Sequence, residues 1–453
     1  MKSITSITYA SKCPICISGA FFIVGILAIE IIATAQTIRH NSLSLSDCLS
    51  IARRNNPVLS ASRAKIRELE ADYQTALSSY FPKISLSSHY ARLDPGLLSS
   101  GNKYGYEVFG GLSINQSLFD GLSTYYNTRA SRFGVLAQQQ DFQKTEYNVI
   151  FSVTSAFYRL LESKENLKVT EDALKQRQNF LAITEAFFKA GKSTRLDFLR
   201  ATSQATDAEQ AKIESEYAVR LAKEILRRSL GLEEYADIDI LNPPLGQTVA
   251  AENFEDMWRE ALQNNPEIRS LNLGIEQNKA LIQAAQAGYY PQINVQGSAG
   301  VRQRNVGETK PEWLAGIFVE YPLFEGGATK AKVAKAASRE LQLLENRKDR
   351  LNAIKVDLVS AWKDTETARR GMETSRQVVA ANEEAYASAE GLYRYGKVTA
   401  LDVFQAQADL TASRFKVIQY RVIYELARAQ IRQIIGDSTS SPLKKNHKEE
   451  SKK

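Results

Sequence analysis

Ala190-Gly191-Lys192-Ser193-Thr194-Arg195-Leu196-Asp197 reads as the end of one helix and the start of another. Tyr395-Gly396-Lys397-Val398-Thr399-Ala400-Leu401-Asp402 repeats it 205 residues later (396 against 191). Glycine accepts the left-handed backbone that ends a helix, so Gly191 and Gly396 read as C′ residues. A threonine three residues before an acid is the signature of a capping box, so Thr194 with Asp197 and Thr399 with Asp402 open new helices. The chain therefore turns back sharply on itself at two equivalent places.

Outward from these turns the duplication extends over most of the chain. Asn55-Asn56-Pro57 recurs as Asn264-Asn265-Pro266, and Tyr80-Phe81-Pro82 as Tyr289-Tyr290-Pro291, both at an offset of 209 (266 against 57). Leu118-Phe119-Asp120-Gly121 recurs as Leu323-Phe324-Glu325-Gly326 at 205 (323 against 118), and that offset holds to Leu230-Gly231 against Ile435-Gly436. A register kept that long marks a rigid element, and the slip between Pro291 and Leu323 marks a loop.

Proline is absent between Pro95 and Pro243 and between Pro322 and Pro442, in blocks rich in Ala, Leu, Gln, Glu, Lys and Arg. Such composition favours helix. Val153, Leu160, Leu167, Leu174, Leu181 and Phe188 recur every seventh residue, matched by Leu358, Thr365, Met372, Val379, Tyr386 and Tyr393. A seven-residue recurrence lays one seam along a supercoiled helix. From Gly121 to Phe188 that helix would run about 100 Å, too long for a compact globular domain.

Between the helices each copy carries two alternating segments, expected as strands at about 82–92, 106–118, 291–301 and 313–323. Ile84, Leu86 and Tyr90 alternate with Lys83, Ser85, Ser87 and His89; Trp313, Ala315, Ile317, Val319 and Tyr321 alternate with Leu314, Gly316, Phe318 and Glu320. About ten residues suffice for a tilted strand to cross a bilayer, with aromatic residues at its ends. Alternation alone also suits a half-buried soluble sheet. The N-terminus favours the membrane: Lys2 and Lys12 precede the uncharged run Ile15–Ile29, and Ala33-Thr34-Ala35 fits a cleavage site, the pattern of a secretory signal. Four strands cannot close a barrel in lipid, where open edges are not tolerated. Two chains would give eight strands and a filled interior; three would give twelve and a lumen wide enough for water.

The repeated Asn-Asn-Pro helix starts, the Tyr-Phe-Pro and Tyr-Tyr-Pro strand entries, the Leu-Phe-Asp/Glu-Gly exits and the two Gly-x-x-Thr-x-Leu-Asp turns together resemble the TolC family of outer-membrane efflux and secretion ducts. The resemblance covers nearly all of the mature chain. It implies a mainly α-helical protein with a β-barrel portion: a homotrimer whose shared 12-stranded outer-membrane barrel continues as a long periplasmic α-helical barrel. It also implies passive export in a tripartite efflux or type I secretion system, with a periplasmic adaptor (membrane fusion) protein and an inner-membrane transporter as partners and outer-membrane lipid around the barrel.

The expected organisation is a signal peptide at 1–35, a first repeat at 36–231, a connector at 232–253, a second repeat at 254–436 and a polar tail at 437–453. In the family the two turns form the periplasmic tip. Asp402 matches an aspartate lining the constriction there, while Gln405 stands where well-known members carry a second one. Asp197, Asp402 and Gln405 are thus the gate candidates, and Gly191, Thr194, Leu196, Gly396, Thr399 and Leu401 the tip and adaptor-docking candidates. Both aspartates also sit where a helix start wants an acid, and the two roles can coexist.

Other chemistries find little support. The formal net charge is +7, but Lys2 and Lys12 against Glu30, and five Lys against two Glu in Leu443–Lys453, carry over half of it. The remainder is too dispersed for nucleic acid. Of three cysteines, Cys13 and Cys16 lie in the signal, leaving Cys48 without an internal disulfide partner. His40, His89 and His447 offer neither metal-ligand nor catalytic spacing, so neither cofactor nor enzyme is expected. The rival reading is a soluble periplasmic coiled-coil adaptor or scaffold, which would not need paired strands of membrane-spanning length twice. Cleavage after Ala35 predicts a mature chain beginning at Gln36 and free of lipid. Intact mass of the purified protein checks this, and a mass matching residues 1–453 would contradict it.

Overall fold

The computed structural model describes residues 42–93, 105–232, 238–242, 253–304 and 309–436. The expected signal peptide, the tail and most of the connector lie outside them. The chain order is α1 (Leu45–Asn55), α2 (Pro57–Ser78), β1 (Lys83–Leu93), β2 (Gly105–Phe119), α3 (Ser123–Lys189), α4 (Arg195–Leu230), α5 (Phe254–Asn264), α6 (Pro266–Gln286), β3 (Gln292–Arg304), β4 (Thr309–Glu320), α7 (Ala328–Arg394) and α8 (Ala400–Ile435). A single 3-10 turn, Ala287–Tyr289, precedes β3. The copies match in length: α3 and α7 each have 67 residues, α4 and α8 each 36, α1 and α5 each 11.

The two Asn-Asn-Pro motifs weld helices end to end. Asn56 accepts a bond from the Val58 N–H (2.9 Å) through Oδ1 and donates from Nδ2 to the Ser229 carbonyl (2.8 Å). One amide thus caps the start of α2 and the end of α4 together. Asn265 does the same, accepting from Glu267 N–H (2.8 Å) and Ile268 N–H (3.1 Å) and donating to the Ile434 carbonyl (2.8 Å). Pro57 and Pro266 occupy the first helical turn, where no N–H is missed. Gly231 and Gly436 are left-handed, and a Cβ there would lie 2.6 Å from the Asn55 oxygen and 2.7 Å from the Asn264 oxygen. The joints tolerate only glycine.

Each copy therefore presents two antiparallel rods: α4 continued by α2 beside α3, and α8 continued by α6 beside α7. Because α3 packs on α4, α2, α6 and α8, and α7 on α6 and α8, the rods line up as α4/α2, α3, α8/α6, α7. Glu267 ties the last three together, holding Lys144 of α3 (2.8 Å) and Arg350 of α7 (2.8 and 3.0 Å). Burial would raise its carboxyl, but the bonds from Arg350 and Lys144 outweigh it and keep the group below the usual range. α1 covers a core that includes Cys48, Leu59, Val153, Phe157, Leu160 and Leu226. Burial pushes the Cys48 thiol up to about 12, which leaves it inert at neutral pH.

The seven-residue seam is regular in α7 from Ile354 to Ser375, where Ile354, Leu358, Ala361, Thr365, Ala368, Met372 and Ser375 are buried at alternating steps of four and three; beyond it Val379 and Tyr386 are only half-buried, and Tyr393 is buried again. In α3 the structure departs from the expected seam. Val153 and Leu160 are fully buried, Leu167, Leu174 and Leu181 only half, and Phe188 is 38% exposed. Burial passes instead to Thr170, Ala173, Phe180 and Thr184, because α3 packs against different neighbouring rods along its length. Phe188 stacks on Phe198 at 5.7 Å rather than filling the seam.

The strands form one antiparallel sheet in the order β1-β2-β3-β4, with β1 and β4 as edges. β4 covers Thr309–Glu320, where alternation predicted 313–323. It begins earlier because β3 runs on to Arg304 and the ladder continues through Val301↔Pro311, Arg302↔Lys310 and Gln303↔Thr309; an edge strand can hold the proline. The pairings Leu86↔Leu112, Leu112↔Ala299 and Ala299↔Trp313 put the apolar set of all four strands on one face. Leu86 is 77% exposed, Ile317 68% and Trp313 80%. The opposite face carries Ser85, Ser113, Ser298, Asn115 and Gln296.

The joints generate a sharp comparison. Gly436→Ala should lower the unfolding temperature clearly more than Gly396→Ala, which bears only the left-handed penalty of about 1–2 kcal/mol because nothing lies within 4 Å of it. Equal shifts in thermal unfolding would contradict the weld.

Candidate functional site at the helical tip

At the end of the rods remote from the sheet, α3 turns into α4 and α7 into α8. Both turns are built alike. The Lys192 N–H donates to the Phe187 carbonyl (2.8 Å) and the Lys397 N–H to the Leu392 carbonyl (3.0 Å), around Gly191 and Gly396, each at φ +70°. These six-to-one bonds satisfy carbonyls that a helix end otherwise orphans.

The helix starts differ. At Thr399 the box is complete: the Asp402 carboxylate accepts from the Thr399 N–H (2.8 Å) and hydroxyl (2.7 Å), and the Asp402 N–H donates to Thr399 Oγ1 (3.4 Å). At Thr194 only half of it forms. The Asp197 N–H donates to Thr194 Oγ1 (3.1 Å), while the carboxylate takes hydroxyl bonds from Thr194 (2.7 Å) and Ser193 (3.4 Å) instead of the backbone donor. The hydroxyl and the N–H of Thr399 hold the Asp402 carboxyl below its usual range. Capping is thus stronger at the gate candidate Asp402 than at Asp197.

Gln405, one turn on, donates to Asp409 Oδ1 (2.9 Å). Asp402, Gln405 and Asp409 form an exposed polar stripe along α8. Sequence comparison stopped at Gln405; the i, i+3, i+7 spacing was the available signal for Asp409. Leu196 and Leu401, the second helical residues of α4 and α8, are 54% and 60% exposed. The tip thus presents the same apolar knob twice.

An aromatic core joins the two hairpins just behind the turns. Phe180 lies 5.0 Å from Tyr393 and 5.3 Å from Phe404, and Phe187 stacks on Tyr393 at 5.8 Å. Farther back, Arg414 of α8 reaches Glu383 of α7 (2.7 Å) and Asp172 of α3 (3.6 Å). The seven-residue reading counted Tyr393 and missed Phe180, since it followed a different row of α3.

A duplicated chain with one sheet, one apolar sheet face and two long helical hairpins ending in equivalent polar turns defines a class of membrane channel subunit. Residues 48–232 and 257–437 match the family described as Outer membrane efflux protein; this chain belongs to it and is an outer-membrane channel subunit. It is 24% identical over 390 residues to the outer membrane efflux protein BepC of Brucella suis, covering 83% of this chain and 82% of that one. It is 23% identical to the outer membrane protein TolC of Vibrio cholerae, covering 87% and 90%. The fold is similar to that of the solved CmeC outer membrane channel of Campylobacter jejuni, with a TM-score of 0.77 over 90% of this chain and 89% of that one at 18% identity.

The sign of the Asp402 effect follows from its lowered pKa. Its capping bonds contribute fully above the ordinary carboxyl value of 3.8 and are lost as pH falls through the lower folded value. Asp402→Ala should therefore speed amide hydrogen exchange in the first turn of α8 at neutral pH, and the difference from wild type should close on acidification well below 3.8. A difference that persists in acid would contradict the carboxylate cap.

Proposed function

We propose that three copies of this chain close a 12-stranded barrel in the outer membrane, continue it as a periplasmic helical barrel, and passively conduct substrates delivered by an inner-membrane transporter through a periplasmic adaptor. The observation that carries this reading is the four-stranded sheet with an exposed apolar face and two unpaired edges. Among the described residues no helix is long and apolar enough to cross a membrane, so the sheet is the candidate span. In lipid its edges need partners, and β1 of one copy beside β4 of the next keeps every neighbour antiparallel.

The outer rods support the same head-to-tail contact. Ile213, Tyr217, Leu221 and Ile225 are exposed on α4, at one flank of the rod array, and Leu341, Leu344, Val356 and Val359 on α7, at the other. Two different apolar flanks on one chain suit a heterologous ring. At the tip, three copies of Asp402, Gln405 and Asp409 around a narrow axis would focus a negative potential, and Leu196 and Leu401 would seat the adaptor. A soluble scaffold has no use for so large an apolar sheet face.

Single-channel current in a planar bilayer tests the duct and its gate. The wild type should conduct and be blocked by multivalent cations, and Asp402→Asn, which keeps an acceptor for the helix start, should weaken the block. Asp197→Asn should change it less. Absence of channels would contradict the duct, and an unchanged block in Asp402→Asn would contradict the acidic gate.

A further inference from the structure

We propose that the groove between α2 and α3, just beneath the sheet, binds the headgroup of an anionic phospholipid in the periplasmic leaflet; this rests on the reading that the sheet spans the membrane. The groove has a volume of about 460 Å³, within the range of small-molecule sites. Its apolar part is Leu77, Phe133 and Leu136, and Tyr80 and Tyr125, each about half exposed, line it nearest the strands. The polar part is Arg129 and Arg132, consecutive on one face of α3.

Two observations point to an anionic ligand. No acid lines the groove, and neither guanidinium has a carboxylate partner among the described residues; Arg129 only lies over the Phe133 ring at 5.5 Å. The adjoining hollow that Arg129 also borders holds two acids, Glu276 and Glu340, and both act on Lys279, which Glu276 binds at 2.7 Å.

Placement selects the source of that phosphate. Tyr80 stands three residues before β1, and α3 begins four residues after β2 ends. Side chains on a helix lean toward its N-terminus, and α3 runs away from the sheet. Arg129 and Arg132 therefore lean back toward the bilayer, and their long stems let the charge reach the headgroup layer.

The full chain reconstituted into vesicles of equal dioleoylphosphatidylglycerol and dioleoylphosphatidylcholine, then released for native mass spectrometry, tests this. Wild type should retain the anionic lipid over the zwitterionic one by about tenfold or more, the scale of two arginines near a charged surface. The pair Arg129→Gln with Arg132→Gln should bring retention to parity, while Arg129→Lys with Arg132→Lys should keep most of the preference. Equal retention by wild type, or unaltered preference in the glutamine pair, would overturn the site while leaving the duct intact. Failure of the wild type to insert would overturn both. Glutamine variants that lose selectivity for anionic solutes in single-channel recordings, with lipid retention unchanged, would place the groove on the lumen and overturn the lipid assignment.

Discussion

The structure depends on one side chain used at both ends. A helix that stops leaves carbonyls unpaired, and a helix that starts leaves N–H groups unpaired. Asn56 and Asn265, both buried, satisfy orphans of both kinds at the places where α4 meets α2 and α8 meets α6. The negative end of one helix faces the positive end of the next, so the dipoles favour the junction too. About 54 Å of α4 and about 33 Å of α2 thereby run end to end beside α3, which spans about 100 Å. Without the welds the long helices would lack a continuous partner to bury their seams.

Much of this was legible because the chain is written twice. The helix ends at Gly191 and Gly396, the starts at Thr194 and Thr399 and the alternation in β1 to β4 all follow from local rules that need no distant partner. The Asn-Asn-Pro repeats were visible as repeats, but their purpose was not, since the amide's second bond goes to residues 173 and 169 positions away. The α3 seam was misread for a related reason. A heptad ruler follows one row, whereas burial in α3 is set by which neighbouring rod it meets, and that changes along its length. Arg129 and Arg132 carry no motif; only the fold sets them across a groove from Leu77 of α2 and beneath the strands.

The tip and the sheet face opposite demands. At the tip, Asp402 uses both carboxylate chemistry and backbone geometry to start α8, yet its exposure leaves the charge available to solutes. The capping bonds lower its pKa and so favour the ionised carboxylate. In the sheet, polar groups are concentrated on one face and pair with one another across the strands. Arg302 holds Glu107 and Glu312 (each 2.7 Å) and lies over Phe109 at 5.1 Å. Phe109 lies on the polar face of β2, against Gly111 and Gly300, where an added Cβ would meet its ring at 2.8 and 3.2 Å. The ring covers backbone that the two glycines leave bare on this face of the sheet.

What remains open at the edges of the sheet determines what the chain must do next. β1 and β4 each expose a row of backbone donors and acceptors beside an apolar face, which neither water nor lipid satisfies together. Single-particle images of the detergent-purified protein measure the answer directly. The account predicts threefold particles in which β1 of each copy pairs with β4 of the next to close twelve strands around an open lumen. Twofold particles, or single copies with both edges unpaired, would contradict it.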